Sequence, residues 1–291
     1  MTEFNVKEHS DVFSYLSSLG FKRTKLKQLL RFRSIIVNEK PVDRHDYPLI
    51  PGDRVAVSTG RKNGTAAAPG MGIRILYEDE ALLVIDKPEG LLTIATDTEK
   101  IKTAYFQLNE YLKERNPVKK ERIFIVHRLD RETSGLLVFA KTEAVKRKLQ
   151  HGWADAGKQY VSIIEGVPKE KERTLGSYLN ETASHLVYEE RSSGKAKYAV
   201  TRYTVLKSSR KYSLVEIGIE TGRKHQIRVQ MSGIGHPVAG DKKYGANTNP
   251  LKRLALHASR LAINHPLTGE RVQFESEAPC EFYSLIERLQ S

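Results

Sequence analysis

Short apolar runs of strand length dominate the chain after residue 73, and helical periodicity is sparse between them. Five runs are strand-like, namely residues 81–86, 160–166, 196–206, 213–220 and 227–230. Apolar residues recur at helical spacing only over residues 103–113 and 144–154. The pattern predicts an α+β domain with a mixed, mostly antiparallel sheet.

The first 60 residues follow a different pattern. Apolar positions recur at helical spacing over residues 11–19, which Asp11 or the preceding serine can cap, and again over residues 24–32. Strand-like segments follow at residues 35–37 and 49–57. Two helices and a short hairpin sheet are therefore predicted, which together make a small α/β unit.

A stretch rich in Gly and Ala separates these two patterns. It has no periodicity, which is typical of a linker. We therefore predict a small domain over residues 1–60, a linker over residues 61–73 and a large domain over residues 74–291.

The net charge is +13, which favours a polyanionic partner. The charge is dense in the second predicted helix, because no acidic residue occurs from Phe21 to Ser34. Six cations lie in that interval: Lys22, Arg23, Lys25, Lys27, Arg31 and Arg33. A solvated helix face is the alternative interpretation of such a cluster. Anionic lipid is a weaker candidate, because no basic helix has a bulky apolar face.

Other classes of protein are disfavoured by what the sequence does not contain. Cys280 is the single cysteine, which excludes a disulfide within the chain and a cysteine-based zinc site. No P-loop, dinucleotide fingerprint or metal-ligand cluster is found, so we expect no cofactor and no metal. The N-terminus lacks the apolar core of a signal peptide, and no apolar run approaches about 18 residues. We expect a cytoplasmic monomer.

A highly polar segment, His127 to Gly135, stands between the apolar runs 123–126 and 136–140. Burying that much charge is costly unless the charges are paired or used, so the segment is typical of an active-site loop. The alternative is an ordinary polar turn in which Gly135 adopts a left-handed conformation.

The sequence His-Arg-Leu-Asp-Arg-Glu-Thr-Ser-Gly of this loop resembles the signature of the RluA-type pseudouridine synthases. Further segments resemble the same family in the same order, at residues 77–90, 158–166, 221–230, 236–245 and 256–270. Lys224 and Gln230 depart from the residues common in that family. The resemblance implies isomerisation of uridine to pseudouridine in RNA, with Asp130 as the catalytic residue. A carboxylate there could act as a nucleophile or as a general base, and the sequence leaves both open.

The same resemblance implies roles for residues around Asp130. Tyr160 matches an active-site tyrosine, whose ring can stack on uracil, although a core tyrosine is the alternative. Arg228 is expected beside Asp130, where it would keep the carboxylate ionised. Arg223 is a competing candidate for that position, and Glu216 is an alternative partner for Arg228.

Other loop residues are candidates for RNA contact. The target uridine must leave its stack, and the planar side chain of Arg128 could take its place. His127 could touch phosphate or serve as a hydrogen-bonded structural residue. Arg131 and Arg223 are further candidates for RNA binding. The remaining histidines, at positions 225, 236, 257 and 265, are interpreted as structural or facing RNA.

The small domain resembles an S4-type RNA-binding domain, chiefly in residues 36–42 and 51–53. That appendage favours structured RNA, and large-subunit ribosomal RNA above all, with tRNA as the first alternative. A binding-only RNA protein on the same fold and a uracil-removing glycosylase are alternatives from other classes.

Overall fold

The computed structural model describes residues 2–23, 26, 29–30, 35–38, 40–42, 44–57, 66–67, 72–115, 121–190 and 194–289. The chain divides into two compact units, Met1–Gly64 and Thr65–Ser291. None of the helices among these residues combines the length and the apolar character that crossing a membrane requires.

The first unit contains one described helix and a small antiparallel sheet. Its elements are β1 (Thr2–Asn5), β2 (Ser10–Asp11), α1 (Val12–Ser18), β3 (Ile35–Val37), β4 (Lys40–Val42), β5 (Pro48–Leu49) and β6 (Arg54–Val57). The sheet order is β1-β6-β3-β4, and β2 pairs with β5. Asp11 caps α1 by accepting the backbone N–H of Ser14 at 2.8 Å.

The second predicted helix is described only in part. Leu26, Leu29 and Leu30 are helical and buried in the core of the first unit, as their spacing predicted. Lys22 and Arg23 precede them and are exposed. The other four predicted RNA-contacting cations, Lys25, Lys27, Arg31 and Arg33, lie outside the described residues.

The second unit is built on one long sheet with four described α-helices. The first half supplies β7 (Ala66–Ala67), β8 (Arg74–Glu78), β9 (Leu82–Lys87), α2 (Ala104–Arg115), β10 (Phe124–Ile125), β11 (Ser134–Ala140) and α3 (Glu143–His151). The second half supplies β12 (Gly157–Glu165), β13 (Glu172–Glu181), β14 (Val187–Glu190), β15 (Lys197–Ser208), β16 (Tyr212–Ile219), α4 (Gln226–Gly233), β17 (Leu256–Asn264), β18 (Arg271–Glu275) and α5 (Cys280–Arg288).

The strand order is β14-β13-β15-β16-β12-β17-β11-β9-β8-β7, with β10 paired to β11 and β18 paired to β17. Among the described strands, only β11 and β17 pair in parallel. The predicted α+β class with a mostly antiparallel sheet is therefore confirmed. Ala66–Ala67 falls within the predicted linker, yet it pairs with β8, since backbone pairing needs no apolar pattern.

Two apolar cores meet at β17. One core surrounds β9 and β11 and receives α2 and α3, and the other surrounds β12 and β16 and receives α4 and α5. Tyr160 on β12 packs against both cores. This junction brings the predicted active-site loop, which precedes β11, to the segment that begins α4.

The run at residues 227–230, predicted as a strand, is instead part of helix α4. Six consecutive residues, 226–231, are buried, so their apolar pattern carries no helical period. The helix start is fixed by Gln226, whose amide oxygen accepts the Thr221 hydroxyl at 2.8 Å and the Arg223 N–H at 3.0 Å. Its amide nitrogen donates to β15, at Val200 O. The side-chain hydrogen bonds of Gln226 thus determine that this segment begins a helix, which the apolar pattern could not predict.

Candidate active site

The polar loop at residues 127–133 leaves β10 and returns through β11, which pair antiparallel at its base. Gly135 fixes the return. Its φ is +108°, and a Cβ there would lie 2.3 Å from the Ala258 carbonyl oxygen on β17. Only glycine fits this conformation and this close approach. The loop is consequently anchored where the two halves of the sheet join.

Asp130 lies in this loop at the wall of a cavity of about 660 Å³. The cavity is also lined by Tyr160 and by residues 92–96, 125–131 and 222–228. The Asp130 side chain is 26% exposed, so it is sheltered but reachable. Arg228 Nη1 donates to Asp130 Oδ2 at 3.2 Å. The predicted partners are thus brought together across 98 residues of sequence.

Arg228 is itself held by a second carboxylate. Its Nε and Nη2 donate to the two oxygens of Asp241 at 2.6 and 2.8 Å, and its guanidinium lies 5.1 Å from the ring centre of Tyr244. Gly240 immediately precedes Asp241 and has φ of +82°. A Cβ at this position would meet the Arg253 carbonyl oxygen at 2.1 Å, so only glycine fits the turn that leads into Asp241. Burial alone would lower the pKa of Arg228, but the Asp241 and Asp130 carboxylates raise it. The guanidinium is therefore a fixed cation.

The two alternatives for this ion pair are both placed elsewhere. The structural acid bound to Arg228 is Asp241 and not Glu216. Arg223 lines the cavity, but its Nε donates to the Tyr198 carbonyl at 3.2 Å. Arg228 is therefore the arginine that contacts Asp130.

Tyr160 projects from β12 at a β-bulge relative to β17. Its ring lines the cavity between the two cores. Burial raises the pKa of Tyr160, and the charge of Asp130 raises it further. The phenol therefore stays protonated at neutral pH and can donate a hydrogen bond.

His127 is bonded into the sheet. Its Nε2 accepts the backbone N–H of Val138 at 3.0 Å, and its ring stacks on Trp153 with centroids 4.6 Å apart. Burial, with the charge of Lys158 nearby, lowers the pKa of His127 to about 3. A neutral ring with an occupied nitrogen is a poor phosphate ligand. Of the two predicted roles, this geometry favours the structural one.

The two loop arginines differ in their surroundings. Arg128 is exposed at the cavity, and none of the described residues pairs with its guanidinium. Arg131 is also exposed, but its Nε donates to the Gly90 carbonyl at 3.0 Å. Arg128 is therefore the freer of the two to contact a ligand.

Lys87 lies in the family-like segment at residues 77–90, but the sequence alone predicts no role for it. Its side chain is fully buried, and its Nζ donates to the carbonyls of Pro88, Leu91 and Arg131 at 2.9, 2.8 and 3.2 Å. Burial lowers the pKa of Lys87 to about 7, against the opposing charges of Glu132 and Asp130. The lysine ties the turn after β9 to the loop beside Asp130.

Asp241, His225 and Tyr244 were also not predicted to act at the site. All three stand in family-like segments, at residues 221–230 and 236–245, which was the available signal, but their contacts with Asp130 and Arg228 are tertiary. Among the described residues, no three His, Cys, Asp or Glu side chains are grouped as metal ligands.

Comparisons with known proteins show the family to which the chain belongs. The RNA pseudouridylate synthase family matches residues 81–233. The RNA pseudouridine synthase YlyB of Bacillus subtilis is 32% identical over 99% of this chain and 96% of its own length. Ribosomal large subunit pseudouridine synthase D of Neisseria meningitidis serogroup A is 33% identical, over 91% of this chain and 74% of its own. The structure of human RNA pseudouridylate synthase domain containing 4 covers 74% of this chain and 92% of its own, with 28% identity and a TM-score of 0.62. The chain therefore belongs to the RluA-type RNA pseudouridine synthases, enzymes that isomerise uridine to pseudouridine in RNA.

Proposed function

We propose that this enzyme modifies uridines of large-subunit ribosomal RNA, with Asp130 as its catalytic carboxylate. Relatives named ribosomal large subunit pseudouridine synthase D favour this substrate over tRNA. The basic first unit, as an S4-like RNA-binding domain, fits a structured RNA such as ribosomal RNA. Residues 1–60 would supply that domain and residues 74–291 the catalytic one.

One arrangement supports the role of Asp130 most directly. Its carboxylate faces the cavity, and its cationic partner Arg228 is already fixed by Asp241 on the other side. Arg228 therefore cannot swing away, and it offers the Asp130 carboxylate a fixed, charge-assisted hydrogen bond. A protein that only bound RNA would have no use for a sheltered carboxylate paired with a fixed guanidinium at the cavity wall.

The reaction breaks the N1–C1′ bond, rotates the uracil and forms a C5–C1′ bond, while a proton leaves C5 and another is gained at N1. Asp130 can attack the sugar at C1′ or remove a proton from C2′, and both routes require the carboxylate form. Tyr160 offers its ring face to the uracil and a protonated hydroxyl. Arg128 can fill the stack that the flipped uridine leaves.

The test compares Asp130→Asn with Glu132→Gln. Glu132 lies in the same loop, is exposed, and its carboxylate is 4.0 Å from Arg228 Nη1. Tritium release from uracil-labelled large-subunit RNA should fall at least ~1000-fold in Asp130→Asn, about 4 kcal/mol in the barrier. RNA affinity should change little, and Glu132→Gln should stay within about tenfold of wild type.

Activity of Asp130→Asn within about tenfold of wild type would contradict the catalytic role. The substrate is tested separately, by mapping pseudouridines in total RNA from a deletion strain. Sites lost only from tRNA would contradict the ribosomal assignment. Free uracil among the products would indicate a glycosylase.

A further inference from the structure

We propose that His225 is a positioning residue for Asp130, and that Tyr244 fixes the tautomer in which His225 does this. This inference rests on the proposed catalytic role of Asp130. It adds a second group, beside Arg228, that orients the carboxylate.

The contacts form a chain that ends at Asp130. His225 lines the cavity with only 10% of its side chain exposed. Its Nε2 lies 3.7 Å from Asp130 Oδ2, which is longer than a hydrogen bond. On the other side of the ring, Nδ1 lies 2.6 Å from the Tyr244 hydroxyl. The imidazole is thus held at one nitrogen and faces the carboxylate with the other.

The direction of these bonds follows from the donors present. The Tyr244 oxygen accepts the backbone N–H of Val187 at 3.2 Å. Among the described residues, His225 Nδ1 is the acceptor that the single Tyr244 hydroxyl hydrogen can reach. Nδ1 is then the acceptor nitrogen, and the ring hydrogen of the neutral imidazole is on Nε2. That hydrogen points toward Asp130.

The ring is neutral because burial lowers the pKa of His225, which outweighs the opposite effect of the Asp130 charge. The positive charges of Arg228, Lys243 and Lys224 lower it further. The neutral Nε2–H faces Asp130 at 3.7 Å, so the dipole of this bond favours one orientation of the carboxylate. Arg228 supplies the charge and His225 supplies a second direction, so together they restrict rotation of the carboxylate.

The backbone conformation supports a dedicated position. His225 has φ of +53°, in the left-handed region, which is uncommon for residues other than glycine and which Asn, Asp and His adopt more often than the rest. It stands at the start of α4, three residues before Arg228. The left-handed residue sends the imidazole into the cavity while the first turn of α4 sends the guanidinium to the same carboxylate. A purely structural helix cap would not need an imidazole there, since its side chain makes no capping hydrogen bond.

The test is a double-mutant cycle of His225→Asn and Tyr244→Phe in the full-length protein. Asparagine tolerates the left-handed conformation, so the imidazole is removed without imposing backbone strain. Phenylalanine keeps the ring beside Arg228 and removes only the hydroxyl. Single-turnover rates with saturating enzyme on large-subunit RNA are measured, because these rates report the folded enzyme alone. RNA affinity is measured in parallel.

We expect His225→Asn to lower the single-turnover rate about 10- to 100-fold, and Tyr244→Phe about 3- to 10-fold, with RNA affinity unchanged. The double variant should be no slower than His225→Asn, because Tyr244 acts through His225. A wild-type rate in His225→Asn overturns the positioning role. Multiplicative losses in the double variant overturn the role of Tyr244.

Asp130→Asn is measured in the same assay. Full activity of Asp130→Asn would contradict the proposed function itself. An inactive Asp130→Asn together with a fully active His225→Asn would overturn the positioning role alone.

Discussion

At the scale of single residues, Arg228 lies between two carboxylates of different exposure. Asp241 is 1% exposed and binds the guanidinium with two hydrogen bonds, whereas Asp130 is 26% exposed and faces the cavity. The planar fork of arginine bonds Asp241 at two places and presents Nη1 to Asp130, a rigid geometry that the rotatable ammonium of lysine does not offer. The arrangement converts a flexible cation into a fixed one beside the carboxylate that faces the cavity.

Arg128 carries a prediction at this scale. Arg128→Ala should lose much activity on a folded RNA and less on a short unstructured one, because unstacking a base costs a few kcal/mol only where the base is stacked. Turnover on both substrates measures this, with Arg147→Ala, on the exposed side of α3, as the control. Equal losses on the two substrates, with a salt slope smaller by about 0.7–0.9, would indicate a phosphate contact instead.

Asp130, Tyr160 and Arg228 were predicted as site residues because each stands in a segment that resembles a family motif, and the structure places all three at one cavity. It did not identify Asp241, His225 or Lys87, since their importance comes from what they touch. Lys87 reaches Arg131 across 44 residues, and His225 reaches Asp130 across 95. Such pairings are set by the register of strands and are invisible to periodicity.

At the scale of elements, the loop before β11 is fastened at three points. Gly135 presses against Ala258, Lys87 bonds the Arg131 carbonyl, and His127 bonds the Val138 N–H. The apolar runs that flank the loop were predicted from sequence, and both form strands. Helix α4 was not predicted, because six consecutive buried residues show no period and a side-chain bond from Gln226 decides the conformation.

His127 makes this fastening sensitive to acid. Its pKa is lowered to about 3 in the folded protein, whereas in an unfolded chain it stays near about 6.5. Between these values the unfolded chain binds a proton that the folded chain does not. The free energy of unfolding should therefore fall as pH drops from about 6.5 to 3, by up to about 1.4 kcal/mol per pH unit from this residue.

The matched variant is His127→Gln, whose amide oxygen can still accept the Val138 N–H but does not titrate. Its free energy of unfolding should fall less over the same pH range. Urea titrations measure this, followed by the fluorescence of Trp153, the single tryptophan, which stacks on residue 127. Identical pH dependence in the two proteins would show that His127 is not the group responsible.

At the scale of the whole molecule, the chain is two compact units with separate cores. The proposed catalytic residues all belong to the second unit. Removal of residues 1–64 should therefore leave a folded protein that is active at saturating RNA but binds RNA more weakly and with a smaller salt slope. Each phosphate that the first unit neutralises should contribute roughly 0.7–0.9 to the slope of log affinity against log salt.

A second experiment uses the full-length protein with Lys22→Gln and Arg23→Gln, which removes the two described cations of the basic cluster at residues 22–33. If each of these cations neutralises one phosphate, the double variant should have a salt slope smaller by about 1.4–1.8. An unchanged slope in the truncated protein would mean that the first unit serves something other than RNA contact.

The central position of β17 also has a consequence for the timing of synthesis. β17 lies between β12 and β11, so the sheet cannot join its two halves until residues 256–264 have been made. At about 5–20 residues per second, the ribosome needs roughly 6–25 s to pass from Asp130 to Leu256. During that interval the loop at residues 127–133 lacks the strand against which Gly135 packs. A nascent chain that ends before β17 therefore lacks the packing that holds this loop, and we expect it to be inactive.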